Sequence, residues 1–213
     1  MVLHTRIKIC GITSLDVALD AVDAGVDALG FNMFESSLRY IGIEKTREIL
    51  NALPSSVIKV GLFVNHGDRE IRSVIEYCHF DLLQFHGSED NAFCDSFSIP
   101  FLKAIPFVSK IETQFEAQRY PDSIGILLDT AIAGKFGGTG ISFDWANVPD
   151  CGLPLWLAGG LNVGNVVRAM ELAQPQAVDV SGGVESSPGV KDPELIRKFV
   201  KAVRDKDKLK GAE

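Results

Sequence analysis

An α/β architecture closed into a single (β/α)8 TIM barrel is the expectation for this chain, on three observations. Short runs rich in apolar and β-branched residues alternate with segments of helical periodicity, eight times over. Those runs are apolar almost throughout, as parallel strands covered on both faces are. The residue types that carry chemistry then gather where the runs stop, at Cys10, Asp129, Gly159-Gly160 and Ser181-Gly182-Gly183. An open doubly wound sheet would alternate as well, but eight units with candidate groups at many strand ends favour closure.

Residues 6–10 read as the first strand. Thr13 and Asp16 then stand at capping-box spacing. Leu15, Ala18, Leu19 and Val22 form a stripe expected to be buried, and Gly25 is a C-terminal stop. Residues 27–33 form the second strand. Helices follow over about 44–53, 69–78, 89–97 and 109–119, with strands over 57–64, 81–85, 101–105 and 124–129. A long Gly-rich loop carries one helical turn after Phe143-Asp144-Trp145. Strand 155–158, helix 163–173, strand 177–180 and helix 193–204 complete the alternation. Asp192 before Pro193 is an N-cap with proline at the first helical position. The barrel domain is placed at residues 1–205, with 206–213 as a charged tail that frays.

Composition narrows the function classes. A net charge of −7 argues against a nucleic-acid binder, which needs a clustered basic surface. No run approaches the ~18 apolar residues of a membrane span, and the first residues lack the apolar core of a signal peptide. Cys10, Cys78, Cys94 and Cys151 match no zinc spacing and read as free thiols of a reducing, cytoplasmic compartment.

In a parallel barrel the C-terminal strand ends surround one mouth. Cys10, between an apolar strand and Gly11, is a candidate nucleophile or base, and a thiol needs nearby positive charge to ionise at neutral pH. Lys8 reads as facing away from Cys10 along its strand, which counts against a synthase built on a strand-end lysine. Asp129 ends the run Gly125-Ile126-Leu127-Leu128 and is a candidate general acid or base. The turns at Gly159-Gly160 and Ser181-Gly182-Gly183 follow the seventh and eighth strands, where such barrels hold phosphate on backbone N–H groups.

Other candidates have two readings. Arg39 forks onto a substrate carboxylate, or pairs with a nearby acid. Gln84 and His86 end the fourth strand, where His86 lines the mouth or bonds to backbone. Asp179, in the last strand, orients a neighbouring loop or meets substrate. Gly137, Gly138, Thr139 and Gly140 form a connector or a lid. A metal-dependent epimerase would want more His and acidic ligands than His86, Asp129 and Asp179, and a barrel that merely binds phosphosugar would need neither Cys10 nor Asp129.

Lys8-Ile9-Cys10-Gly11-Ile12-Thr13, Ser37-Leu38-Arg39-Tyr40, Val60-Gly61-Leu62-Phe63-Val64-Asn65 and Gln84-Phe85-His86-Gly87 occur in order along the chain. Leu128-Asp129, Gly137-Gly138-Thr139-Gly140, Leu157-Ala158-Gly159-Gly160-Leu161 and Gly183-Val184-Glu185-Ser186-Ser187-Pro188-Gly189 follow. Together they resemble the phosphoribosylanthranilate isomerases of tryptophan biosynthesis. The resemblance implies an Amadori rearrangement of a phosphoribosylated anthranilate. Asp129 would be the general acid on the furanose oxygen, Cys10 the base at C2′, and Arg39 the partner of the anthranilate carboxylate. It implies a small-molecule phosphosugar substrate, no cofactor and no metal; with charge and hydropathy pointing to no nucleic acid and no membrane, the expectation is a monomer or homodimer acting on small molecules. Two positions depart from the family pattern: Leu38 stands for a proline, and Gly182 for the second serine of Ser-Ser-Gly.

Overall fold

The computed structural model describes residues 4–130 and 143–210. Eight parallel strands close into a barrel in sequence order: β1 (Arg6–Cys10), β2 (Ala28–Asn32), β3 (Ile58–Phe63), β4 (Leu82–Phe85), β5 (Phe101–Phe107), β6 (Ile126–Thr130), β7 (Leu155–Leu157) and β8 (Ala177–Val180). Outside them lie α1 (Leu15–Ala24), α2 (Ile43–Ala52), α3 (Asp68–Cys78), α4 (Asn91–Asp95), α5 (Lys110–Ala117), α6 (Val166–Ala173) and α7 (Pro193–Lys210). A hairpin of β9 (Glu185–Ser187) and β10 (Val190–Lys191) lies between β8 and α7. The expected closed barrel is the fold that forms.

Strand parity places the site. Successive side chains on a strand point to opposite faces, so steps of two stay inside. Ala28, Val60, Leu82, Leu127 and Ala177 belong to one interior cluster. Two residues further along the same strands stand Gly30, Leu62, Gln84, Asp129 and Asp179, forming the next layer toward the C-terminal rim. Lys8 pairs in register with Ala28 and Asp179, and Cys10 with Gly30, so both β1 side chains face inward. The expectation that Lys8 faces away from Cys10 is therefore wrong, because residues two apart on a strand share a face.

Local capping follows the sequence with adjustments. Ser14, not Thr13, caps α1, its hydroxyl accepting from Val17 N. Leu15 and Leu19 stay partly exposed, and Ala18 and Ala21 are the buried face instead, since small residues let α1 approach the barrel closely. α6 starts at Val166 because Asn162 and Asn165 turn the chain first: Asn165 Oδ1 accepts from Asn162 N, and Asn162 Oδ1 from Gly164 N.

The last helix continues past residue 205, and α7 runs to Lys210, so residues 206–210 are helical rather than a frayed tail. Buried Asp207 accepts from Thr5 N and Thr5 Oγ1, both at 2.8 Å, while Arg204 Nη1 donates to Thr5 O. Charge along this helix is thus partly consumed in tying down β1. Asp207→Ala leaves two buried Thr5 groups unpaired and should cost about 1–3 kcal/mol of unfolding free energy. Urea unfolding measures it, and a midpoint equal to the parent's would remove the helix end from the stabilising contacts.

Candidate active site

Cys10 ends β1 with only 8% of its surface exposed. Beneath it, fully buried Lys8 donates from Nζ to Asp179 Oδ1 at 2.9 Å. Ser181 Oγ donates to the Cys10 carbonyl at 2.9 Å, joining β1 to the chain after β8. Gly11 has a φ of +82°, and an added Cβ would stand 2.7 Å from Arg39 Cδ. The space that glycine leaves is occupied by the arginine stem rather than held open for substrate.

Asp129 stands on β6, three strands from β1 by way of β8 and β7, and lines the same cavity as Cys10. Its Oδ1 accepts from Thr130 N at 2.7 Å, and its Oδ2 lies 3.4 Å from His86 Nε2. Gln84 Nε2 in turn contacts His86 Nδ1 at 3.0 Å. A second network holds this strand end. Glu89 accepts from Asn65 N, Gly87 N and Lys103 Nζ at 2.6, 2.9 and 2.9 Å. Buried charge on Glu89 and Lys103 is thereby paired and hydrogen-bonded, and the His86 loop is clamped to β5.

Arg39 does pair with an acid. Its Nε and Nη2 donate to Glu185 Oε1 and Oε2 at 2.6 and 2.8 Å, and Lys191 Nζ donates to Glu185 Oε1 at 2.6 Å. Burial opposes ionisation of Glu185, but Arg39 and Lys191 overcome it and hold its carboxyl down at about 2. Two cations against one carboxylate leave this corner positive, which suits an incoming anion. The loop is fixed despite Leu38: Ser37 Oγ accepts from Asn32 Nδ2 and from Arg39 N.

The depressed Glu185 pKa has a stability consequence. A carboxyl lowered on folding contributes stability that is complete above its unfolded value near 4.3 and lost as pH falls toward 2. Glu185→Gln should therefore be less stable than the parent at pH 7, with the gap closing as pH falls from about 4 to 2. Thermal melts at several pH values measure this; a gap that does not depend on pH would refute it.

The two glycine turns meet. A Cβ at Gly183 would collide with the Leu161 carbonyl, so only glycine lets the chain after β8 pack on the chain after β7. Asn165 Nδ2 donates to Gly160 O at 2.9 Å and fixes the first turn. The Ser181 hydroxyl is occupied within the protein, donating to the Cys10 carbonyl and accepting from Lys191 Nζ. All these parts line one cavity of about 680 Å³: Cys10, Arg39, Gln84, His86, Asp129, Gly159, Gly160, Asp179, Ser181, Gly182 and Gly183. Gly137, Gly138, Thr139 and Gly140 lie outside the described residues.

A family model described as N-(5′-phosphoribosyl)anthranilate (PRA) isomerase matches residues 7–202. The chain belongs to that family. Its sequence is 49% identical over 202 residues to the N-(5′-phosphoribosyl)anthranilate isomerase of Pseudomonas aeruginosa (strain UCBPP-PA14), covering 94% of this chain and 96% of that one. The Hahella chejuensis isomerase is 48% identical over 198 residues, covering 92% and 93%. Among solved structures, the phosphoribosyl anthranilate isomerase of Thermotoga maritima superposes with a TM-score of 0.84 at 36% identity, covering 94% and 99%. An isomerase in complex with reduced 1-(o-carboxyphenylamino)-1-deoxyribulose 5-phosphate gives 0.82 at 36% identity, with the same coverage.

Two groups of this site, Glu185 and Lys191, had no signal in the sequence pattern, and a third, Lys8, was misplaced by it. Glu185 and Lys191 sit on a hairpin whose strands span three and two residues, too short to show a period. Lys8 was legible from its spacing to Cys10, had parity been applied. Among the described residues no cluster of three or more His, Cys, Asp or Glu is placed to hold a metal ion. No helix among them is long and apolar enough to cross a membrane.

Proposed function

We propose that the chain isomerises N-(5′-phosphoribosyl)anthranilate to 1-(2-carboxyphenylamino)-1-deoxyribulose 5-phosphate in tryptophan biosynthesis, with Asp129 as general acid and Cys10 as general base. What supports the residue assignment is that a thiol and a carboxyl, on strands three apart around the barrel, line one cavity large enough for a drug-sized ligand. Asp129 gives its proton to the furanose oxygen as the C1′–O bond breaks, and the anthranilate nitrogen supplies the electron pair that makes the iminium. Cys10, as thiolate, removes the C2′ proton, and the electron pair of that C–H bond forms the C1′=C2′ enolamine. Protonation at C1′ and loss of the C2′ hydroxyl proton give the ketone. C1′ is reduced as C2′ is oxidised, within one molecule, so the reaction calls for no external oxidant or cofactor.

The remaining groups orient this chemistry. Arg39, backed by Glu185 and Lys191, faces the anthranilate carboxylate, and the turns at Gly159-Gly160 and Gly182-Gly183 hold the phosphate through backbone amides. Gln84 and His86 serve Asp129 in both of its protonation states. With Gln84 Nε2 donating to His86 Nδ1, the ring proton on Nε2 faces an ionised Asp129. With the Gln84 amide turned over, Oε1 accepts from Nδ1–H and Nε2 accepts from a protonated Asp129. Gln84 Oε1 is buried without a hydrogen-bond partner in the first arrangement, and in the second it pairs with His86 while the amide nitrogen takes the unpartnered place. Free buried thiols fit a cytoplasmic setting, and a monomer or a homodimer is compatible with this mechanism. The test is turnover of phosphoribosylanthranilate by the purified chain, followed as loss of anthranilate fluorescence. Failure to convert it under conditions where a known isomerase does would reject the assignment.

A further inference from the structure

We propose that Lys8 is a positioning residue for Cys10: its ammonium, anchored on Asp179 inside the barrel, is the counter-charge beside which the thiolate forms. The proposal rests on Cys10 being the base and concerns a residue that mechanism leaves unused. Lys8 has no exposed surface, a state lysine adopts only when paired, and its Nζ lies 2.9 Å from Asp179 Oδ1. The two-residue spacing on β1 runs its stem beneath the thiol. Both side chains converge on Gly30, where an added Cβ would stand 3.0 Å from Cys10 Sγ and 3.1 Å from Lys8 Cε. Stability alone does not explain the pair, since apolar side chains of similar volume are often at least as stabilising as a buried ion pair.

The surrounding charges point the same way. Lys8 on β1, Arg39 after β2 and Lys191 on β10 stand with Asp179 on β8 and Glu185 on β9, while Asp129 and His86 line the same cavity as Cys10. On the Cys10 side, three cations meet two carboxylates, and a thiolate balances the sum. Burial pushes the Cys10 thiol up and leaves it above the ordinary thiol value; Lys8 leads the groups that pull it back, Lys191 assists, and Asp179 opposes. For Lys8, burial pulls the ammonium down, but Asp179 and Cys10 outweigh it and hold the group above the ordinary lysine value.

Asp179 thus keeps Lys8 in place while its own charge resists the thiolate, which gives the test a sign. The measurement is the rate of Cys10 alkylation by iodoacetamide in the full chain without substrate, from about pH 6 to 10, read by peptide mass spectrometry. Lys8→Met should move the profile to higher pH by about one to three units, at least a tenfold slower reaction at pH 7. Asp179→Asn, which leaves the Cys10 thiolate as the nearest anion to Lys8, should move it to lower pH. A folded Lys8→Met with the parent's profile overturns the proposal, as do shifts of the same sign in both variants. If Lys8→Met does not fold, Asp179→Asn decides alone: a shift to lower pH supports the proposal, and an unchanged or upward profile overturns it. Because no substrate is present, the result is separate from the base assignment, whose own failure would appear as full turnover by Cys10→Ala.

Discussion

Asp129→Asn should lower kcat by about 10²–10⁴-fold while KM stays near the parent value, because the lost interaction is a proton delivered only as the ring opens. The substitution is nearly isosteric. Asparagine Oδ1 can still accept from Thr130 N, which Asp129 contacts at 2.7 Å, so the strand end should survive. Steady-state assays of anthranilate fluorescence, with a melting curve as the folding control, measure the effect. Activity within tenfold of the parent would remove Asp129 as the acid. His86, 3.4 Å away, would then be the group to replace next.

Cys10→Ala should fall by a similar 10²–10⁴-fold, for a different step. Serine is not a conservative rescue, since its hydroxyl is far harder to ionise than a thiol. Deuterium at C2′ separates the two variants. Proton abstraction becomes rate-limiting in Cys10→Ser, so a primary isotope effect should emerge or grow there, and Asp129→Asn should show none beyond the parent's. An isotope effect confined to Asp129→Asn would exchange the two assignments. The other buried thiols are not competitors, because Cys78, Cys94 and Cys151 do not line the cavity that Cys10 lines.

Local chemistry was readable wherever one residue type answers one local demand. Apolar β-branched runs, helix caps and glycine turns each state their conformation within a few residues, and eight repeats of the pattern point to closure. Cys10 and Asp129 were legible because a polar group ending an apolar strand needs a reason to be there. Arg39 was half-legible. Both of its expected partners, a carboxylate of substrate and an acid of the protein, are chemically reasonable, and the chain alone could not choose Glu185 from 146 residues away.

Order and period along the chain therefore specified the barrel, the strand that carries each candidate and the face on which it stands, because backbone geometry is local. Which charges meet inside was decided by closure. Lys8 finds Asp179 across 171 residues, Arg39 finds Glu185, and Asp129 comes to line one cavity with Cys10, only once the barrel is shut. Ion-pairing depends on distance and burial rather than on sequence separation, so the electrostatics of the thiol had no local signature to read.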